Sequence, residues 1–128
     1  MNLIDHKARQ GLLQSWYNWK FLVVLSWDLA GEAVQVDNQV TNFQVVALVF
    51  ARLDNDLTGK NGAYAEYTAI KQDKLALNTK NISFEQAVVV PLAGLKALQM
   101  LHQLELKGGE RILIQAGAGG VGIFAPIS

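Results

Sequence analysis

Short apolar runs rich in β-branched residues alternate with polar turn residues over the first half of the chain. Such runs occupy residues 21–25, 33–36, 40–50, 64–70 and 74–77. Gly, Asn and Asp residues, which tolerate turn dihedrals, separate the runs. Because short strands at this spacing are typical of such folds, we expect a small barrel or a sandwich here. Residues 7–20 show no clean period, and we expect a loop or a short helix there.

From Asn81 the pattern changes to that of helices. Ser83 and Gln86 match a capping box, in which a hydroxyl and an amide satisfy backbone N–H groups at a helix start. Pro91 clashes with a preceding helical turn, so we predict a break or a kink there and a second helix over 92–104. Lys107 and two glycines then predict its end. The second helix carries a leucine every three residues, which predicts a packed apolar stripe: Leu92, Leu95, Leu98, Leu101 and Leu104.

The most informative segment is an apolar run at 111–116 that leads into a glycine-rich turn. A strand followed by G-x-G-x-x-G and a helix is the order of a dinucleotide-binding turn, and the alternative is a flexible glycine-rich turn. Gly117 would allow the tight turn, Gly119 the approach of a pyrophosphate, and Gly122 close helix packing. The predicted cofactor-binding residues are Gly117, Ala118, Gly119, Gly120, Val121 and Gly122.

Only residues 123–128 follow this turn, whereas the residue that distinguishes NAD from NADP is expected about 20 residues further along. The turn itself therefore does not discriminate between the two cofactors. Pro126 also interrupts the helix that should follow. A lone strand with half a helix would leave unpaired edges, so we expect self-association, as a homo-oligomer or through those edges.

Composition narrows the possible functions. The chain has 128 residues, 51% of them hydrophobic and 17% charged, with zero formal net charge and no cysteine. A nucleic-acid partner is not expected, because such binding depends on clustered Lys and Arg. No apolar run reaches the length of a membrane span, and the N-terminus does not resemble a secretion signal. We expect a cytoplasmic protein without disulfides or membrane contacts.

The chain resembles the medium-chain dehydrogenase/reductase superfamily, and within it the zinc-free quinone oxidoreductase-like branch. Four motifs carry the resemblance. Residues 25–32 are similar to the family's G-x-D-x-A-G, and residues 62–67 to its G-x-Y-A-E-Y. Residues 83–98 are similar to S-F-E-Q-A-A followed by P-x-A-G-L-T-A, and residues 117–122 to the glycine fingerprint.

The resemblance implies a mixed α and β fold. Residues 1–105 would form a GroES-like catalytic β-barrel domain that lacks its first strands, with linking helices. Residues 106–128 would begin an NAD(P)-binding Rossmann domain, here truncated. The implied reaction is hydride transfer to a quinone, enone or related carbonyl substrate in the cleft between the domains. NADP(H) is implied rather than NAD(H).

The resemblance also suggests substrate-side residues near the nicotinamide. Asn2 and Asp5 are similar to the family's N-P-x-D segment, and the alternative is that they are ordinary polar residues of a chain end. Asp28 could be structural, and we expect Tyr64 and Tyr67 to pack inside the barrel rather than act as acids.

No zinc site is expected. Trp27 stands where zinc-dependent relatives have a histidine ligand, and the chain has no cysteine to complete a tetrahedral N/S site. Other positions depart from the family pattern: Val46 and Ala47 replace a Gly-Asp turn, Ser26 replaces a glycine, and Lys96 replaces a threonine. Because a β-branched residue adopts positive φ poorly, we expect either a remodelled turn or strain at Val46.

Two functions of different classes follow. In the first, the chain is a fragment of an NAD(P)H-dependent oxidoreductase, and it is inactive by itself. In the second, it is a catalytically inert β-barrel module that acts by protein-protein association.

Overall fold

The fold mixes helices with one small antiparallel sheet. The computed structural model describes residues 2–17, 19–54 and 58–127. Its helices and strands are α1 Leu3–Arg9, β1 Asp28–Glu32, β2 Leu48–Arg52, β3 Leu75–Leu77, α2 Phe84–Ala87, α3 Pro91–Gln103 and α4 Gly120–Phe124. Single 3-10 turns lie at Gln72–Lys74 and Ala125–Ile127. The predicted mixed α and β class is confirmed.

The sheet has three strands in the order β1-β2-β3, and both pairs are antiparallel. The predicted strands over 33–36 and 64–70 are wrong, and the strand predicted over 40–50 lies at Leu48–Arg52 instead. The strand predicted over 74–77 is confirmed at Leu75–Leu77. Apolar residues alone do not make a strand, because a strand also needs a neighbour that completes its ladder.

The strand predicted over 21–25 is also wrong, and the backbone around Ser26 explains this. Ser26 has φ +70°, which interrupts an extended chain. Isolated bonds take the place of a ladder: the Val24 N–H donates to the Gly59 carbonyl at 2.8 Å, and the Tyr64 N–H donates to the Leu25 carbonyl at 3.0 Å. The Ala63 N–H also donates to the Ser26 carbonyl, at 2.9 Å. Phe21 is almost fully exposed, so its apolar side chain has no core to join.

A bulge joins the end of β1 to the start of β2. The Ala33 N–H donates to the Ala47 carbonyl at 2.9 Å, and the Val46 N–H donates to the Ala33 carbonyl at 2.8 Å. Two residues thus oppose one, with Val46 at φ +67°, a position that usually requires glycine. The expected strain at Val46 is therefore present.

The chain divides into two compact units, Met1–Val89 and Val90–Ser128. The core of the first unit is a cluster of Leu13, Trp27 and Leu53, which are all buried. Partly buried side chains pack against that cluster: Ile4, Ala8, Tyr17, Trp19, Leu29, Ala63 and Ile70. The predicted boundary after residue 105 stays a prediction.

Helices α2 and α3 begin where the sequence signals lie, whereas α1 lies at Leu3–Arg9, mostly before the 7–20 segment in which a loop or a short helix was expected. In α2, the Gln86 N–H donates to the Ser83 hydroxyl at 3.3 Å, and the Ser83 N–H donates to the Gln86 side-chain oxygen at 2.9 Å. Pro91 is the first residue of α3, where a missing N–H costs nothing. The predicted capping box and the predicted break are both confirmed.

In the second unit α3 packs on α4 through small residues rather than through leucines. A Cβ on Gly120 would lie 3.8 Å from the Ala93 Cβ, and one on Gly94 would lie 3.7 Å from the Phe124 ring. Ala97 is buried, whereas Leu95, Leu98 and Leu104 are exposed. Within the described unit the predicted packing is therefore wrong for Leu95, Leu98 and Leu104, whereas Leu92 and Leu101 are half-buried. The close approach of α3 and α4 selects small side chains at their contact.

Candidate functional site

The first unit contains a buried carboxylate at the start of α1. Asp5 is 1% exposed, and one of its oxygens accepts from the Asn2 backbone N–H at 3.0 Å. Its other oxygen accepts from the Ser26 backbone N–H at 3.0 Å. Because Ser26 lies 21 residues further along the chain, Asp5 connects the N-terminal helix to the segment that enters β1. A buried carboxylate with two such donors holds its surroundings in one arrangement.

Asn2 is fixed by a second carboxylate. Its side-chain nitrogen donates to an Asp28 oxygen at 2.6 Å. An ionised carboxylate can only accept, so Asp28 determines which end of the Asn2 amide faces the sheet. The structure thus brings together Asn2 and Asp5, the two residues that the family resemblance suggested, and adds Asp28 and Ser26 to them.

Trp27 lies next to Ser26 and points into the core. It is 6% exposed and belongs to the cluster with Leu13 and Leu53. The indole at the position of the zinc-ligating histidine of relatives therefore fills the core of this unit. Within the described ranges, no three side chains of the metal-binding types His, Cys, Asp and Glu gather closely enough to hold a metal ion.

Tyr64 lies at the edge of this polar group. Burial of the hydroxyl and the negative charge of Asp5 raise the pKa of Tyr64, while the Ser26 side chain and the positive charge of Arg9 partly offset the change. The hydroxyl therefore stays protonated at neutral pH and can donate a hydrogen bond. The prediction that Tyr64 and Tyr67 pack inside a barrel is wrong, because their side chains are 49% and 74% exposed.

The glycine-rich turn lies in the second unit. Gly119 caps α4 with extended backbone, φ −77° and ψ 164°, and its N–H donates to the Ala116 carbonyl at 2.8 Å. A Cβ on Gly122 would lie 2.5 Å from the Ala116 carbonyl oxygen and 2.7 Å from the Gly117 Cα. No side chain fits at Gly122, which agrees with the close packing expected of the third fingerprint glycine.

Other parts of the predicted turn differ from expectation. The positive φ occurs at Ala116, at +55°, rather than at Gly117. The strand predicted over 111–116 is wrong for the described chain, because all three of its strands belong to the sheet of the first unit and none pairs with this segment. Leu113 is consequently 87% exposed. As expected, Pro126 stops the helix: α4 ends at Phe124 and continues only as a 3-10 turn.

Sequence reasoning missed part of the polar group around Asp5. The family resemblance alone pointed to Asn2 and Asp5. Tyr64 was expected to pack inside the barrel rather than to lie beside Asp5. One signal for Ser26 was available, since a serine at a family glycine position indicates positive φ, which the structure has. Nothing in the spacing indicates that residues 5, 26 and 64 meet.

The second unit also has an open cavity of about 520 Å³. Its lining is mostly apolar and includes Leu98, Leu101, Leu106 and Ile112. Two polar side chains, His102 and Glu105, also line it.

Among the described residues, no helix has the length and apolar character that crossing a bilayer requires.

No family model matches the chain. Several curated relatives do match it, and two of them illustrate the similarity. The chain is 38% identical over 125 residues to an NADPH-dependent alkenal/one oxidoreductase of Arabidopsis thaliana, a match that covers 95% of this chain and 32% of the relative. It is 44% identical over 97 residues to a quinone oxidoreductase of Pseudomonas aeruginosa, which covers 75% of this chain and 28% of the relative.

A solved structure shows the same fold. An alcohol dehydrogenase superfamily protein of Novosphingobium aromaticivorans is 30% identical and superposes with a TM-score of 0.86, covering 98% of this chain and 38% of that protein. The chain thus spans about a third of the length of the relatives it matches. The resemblance inferred from the motifs is confirmed: the chain resembles quinone and alkenal oxidoreductases of the medium-chain dehydrogenase/reductase superfamily over nearly its whole length.

Proposed function

We propose that this chain is part of an NADPH-dependent oxidoreductase that transfers hydride to a quinone, an enone or a related carbonyl compound without zinc. The observation that carries the proposal is the glycine turn, in which the Gly122 position excludes a side chain. This turn lies in a chain related to enzymes that are named for NADPH and for quinone or alkenal substrates.

The glycine turn is suited to a dinucleotide. Residues 117–120 are exposed, and a Cβ on Gly117 would find no atom nearer than 3.9 Å, so a phosphate can approach the backbone. The first N–H groups of a helix have no acceptor within it and can donate to phosphate oxygens. Gly117, Ala118, Gly119, Gly120, Val121 and Gly122 would hold the pyrophosphate. When bound, NADPH supplies the hydride, and the protein binds and orients it.

On the substrate side we assign the roles to Asn2 and Asp5. The Asn2 amide is held by Asp28 at 2.6 Å, and its backbone is held by Asp5 at 3.0 Å. Asn2 would contact the nicotinamide or the substrate, and Asp5 would keep it in place. Both residues lie in the region that we propose to be GroES-like, residues 1–105, and the turn lies in the proposed beginning of a Rossmann domain, residues 106–128.

The proposed absence of zinc follows from the residues present. Trp27 cannot ligate and is committed to the core, and the sequence contains no cysteine. We also propose that the chain self-associates through its exposed apolar segments. Phe21 is 93% exposed and the adjacent Leu22 is 82% exposed, and contiguous exposed apolar side chains mark protein-protein contacts.

A chimera tests the proposed function. This chain replaces the matching segment of the Pseudomonas aeruginosa quinone oxidoreductase, which supplies the rest of the length. We expect quinone-dependent oxidation of NADPH without added metal and in the presence of a chelator. Gly122→Ala in the chimera should abolish NADPH binding, whereas Gly108→Ala, where a Cβ meets no atom within 4 Å, should not. A folded chimera that binds no NADPH would refute the proposal.

The chain by itself gives a second measurement. We expect no enhancement of NADPH fluorescence and no quinone-dependent oxidation, because the ribose-reading residue is expected beyond the glycine turn. Light scattering should detect self-association. Robust turnover by the isolated chain would show that these 128 residues bind NADPH productively by themselves, which contradicts the expectation. A sharp monomer peak would contradict the proposed self-association.

A further inference from the structure

Tyr64 is held beside the segment that enters β1. Its N–H donates to the Leu25 carbonyl at 3.0 Å. A Cβ on Gly62 would overlap the Val24 carbonyl oxygen, so these two stretches of backbone lie in direct contact. Glycine permits such a close approach of two backbones. The Tyr64 hydroxyl is thereby brought to Ser26, whose side chain forms a hydrogen bond with it.

Ser26 adopts a conformation that glycine would adopt without strain. Its φ is +70°, and the residue is buried. Its backbone N–H donates to Asp5 at 3.0 Å, a bond that a glycine would also make. The bond to the Tyr64 hydroxyl, in contrast, requires the serine side chain. Strained residues cluster at functional sites, and the strain here accompanies one contact that glycine could not supply.

The Tyr64 hydroxyl has a proton to donate to a third group. Ser26 is 5% exposed, and among the described residues Tyr64 is the partner of its side chain. Because a buried donor needs an acceptor, the serine proton belongs to this bond, and the phenolic proton stays available. Asp5 and Arg9 are the charged groups that act on the phenol. Burial and the Asp5 charge keep the hydroxyl protonated, because they raise the pKa of Tyr64.

The same carboxylate holds Asn2, which we assign to the substrate side. One Asp5 oxygen accepts from the Asn2 N–H at 3.0 Å, and the other accepts from the Ser26 N–H at 3.0 Å. Asn2 and the pair of Ser26 and Tyr64 are therefore arranged around one buried group. Asp5 and Ser26 are buried and Tyr64 is half exposed, so the phenol is the member of this group that a substrate can reach.

Reduction of a quinone or an enone places negative charge on a carbonyl oxygen. The hydride brings two electrons and forms a new bond to the substrate, and a π electron pair moves onto that oxygen. A proton from water then completes the hydroquinone or the saturated carbonyl compound. A hydroxyl that donates to the oxygen accelerates the reaction, because the charge is larger in the transition state than in the substrate.

We propose that Tyr64 is a further catalytic residue of the proposed oxidoreductase, whose hydroxyl donates a hydrogen bond to the carbonyl oxygen of the quinone or enone. Ser26 and Asp5 are positioning residues. Ser26 fixes the direction of the phenolic hydroxyl, and Asp5 fixes the backbone of Ser26. This role rests on the proposed function and adds to it the group that stabilises the developing charge.

Kinetics of the quinone oxidoreductase chimera with para-benzoquinone test the catalytic role. Tyr64→Phe keeps the ring and removes the donor, and it should lower kcat about hundredfold without changing NADPH binding. Tyr67→Phe removes the other exposed hydroxyl of the same motif and should leave kcat unchanged. Equal kcat values for the chimera and its Tyr64→Phe variant would overturn the proposal.

Ser26→Gly separates positioning from stability. It relieves the positive φ and keeps the N–H that Asp5 accepts, so urea denaturation should show a stability close to that of the parent chimera. The kcat should nevertheless fall about tenfold, because the phenolic hydroxyl loses its fixed direction. A residue with a structural role alone would not lower kcat while stability is kept, so an unchanged kcat would refute the positioning role.

Titration of the 128-residue chain tests the contact without any catalysis. Ultraviolet absorbance detects tyrosinate, and subtraction of the matching Tyr64→Phe curve isolates Tyr64. Ser26→Gly should raise the pKa of Tyr64, because a hydrogen bond that lowers it is lost, and Asp5→Asn should lower it.

The titration and the kinetics fail separately. A chimera that binds no NADPH would refute the proposed function. An unchanged titration in Ser26→Gly would refute the positioning of Tyr64, even in an active chimera.

Discussion

The segment around Asp5 and the turn over 117–122 both fix a length of backbone, but they do so by opposite chemical means. Asp5 is a buried charged side chain that accepts two backbone N–H groups. Gly122 fixes its turn by having no side chain, so that backbone lies against backbone. Substitutions at Asp5 should therefore lower stability when they remove its hydrogen-bond acceptors. Substitutions at Gly122 should lower stability when they add a side chain.

The largest expected loss of stability comes from adding a side chain at Gly122, in the second unit. Gly122→Ala places a Cβ within 2.5 Å of the Ala116 carbonyl oxygen, which cannot move without the turn. We expect a loss of about 3 kcal/mol in the free energy of unfolding, measured by urea denaturation. Gly117→Ala, whose Cβ would lie 3.9 Å from the nearest such atom, is the control and should cost much less. Equal losses would remove the contrast between the two positions.

A change of chemistry at Asp5 comes next. Asp5→Ala leaves the N–H groups of Asn2 and Ser26 without their acceptor, and we expect a loss of about 2 kcal/mol. Asp5→Asn keeps one acceptor oxygen and should cost less. Denaturation followed by tryptophan fluorescence, to which the buried Trp27 contributes, measures both variants. An Asp5→Ala variant as stable as the wild type would show that the carboxylate does not hold this segment.

Val46 allows a test in which a substitution should stabilise the protein. Its φ of +67° is strained for a β-branched residue but not for glycine. We expect Val46→Gly to raise the free energy of unfolding by about 1 kcal/mol. The neighbouring Val45 has no positive φ, so Val45→Gly should lower stability through added freedom of the unfolded chain. The same sign for both variants would contradict strain at the bulge.

The smallest effect concerns the pH dependence at Tyr64. Its pKa is raised above 10.0 by burial and by the Asp5 charge, so the folded chain holds this proton more tightly than the unfolded chain does. The contribution is present below pH 10 and is lost as the pH rises above that value. Tyr64→Phe should make the alkaline loss of stability shallower, as measured by denaturation at pH 8 and at alkaline pH. An unchanged slope would show that Tyr64 does not report the Asp5 charge.

The starts of α2 and α3 were predictable from the sequence, whereas the position of α1 and most of the sheet were not. Ser83, Gln86 and Pro91 act on backbone groups within one turn of themselves, so their effects are local and can be read from the sequence. The strands expected at 21–25, 33–36 and 64–70 failed because pairing depends on distant neighbours. Leu95 and Leu98 have the right spacing for packing, but small residues on the same helix formed the contact.

The candidate sites divide in the same way. The glycine turn was found from sequence because it is contiguous, and Gly122 has the tight environment that its motif implies. At Val46 the sequence predicted either a remodelled turn or strain, because a β-branched residue stands where the family resemblance places a glycine, and the structure has the positive φ. The group formed by Asp5, Ser26 and Tyr64 was not foreseen, since these residues come from three separate segments.

The sequence by itself determined where the chain turns and caps its helices, because those choices depend on the φ preferences and hydrogen-bonding groups of adjacent residues. It also determined that Gly122 must be small. Only the tertiary structure decided that a carboxylate at position 5 holds the backbone at position 26. The physical reason is that burial and the pairing of distant groups depend on which segments meet, which no local pattern specifies.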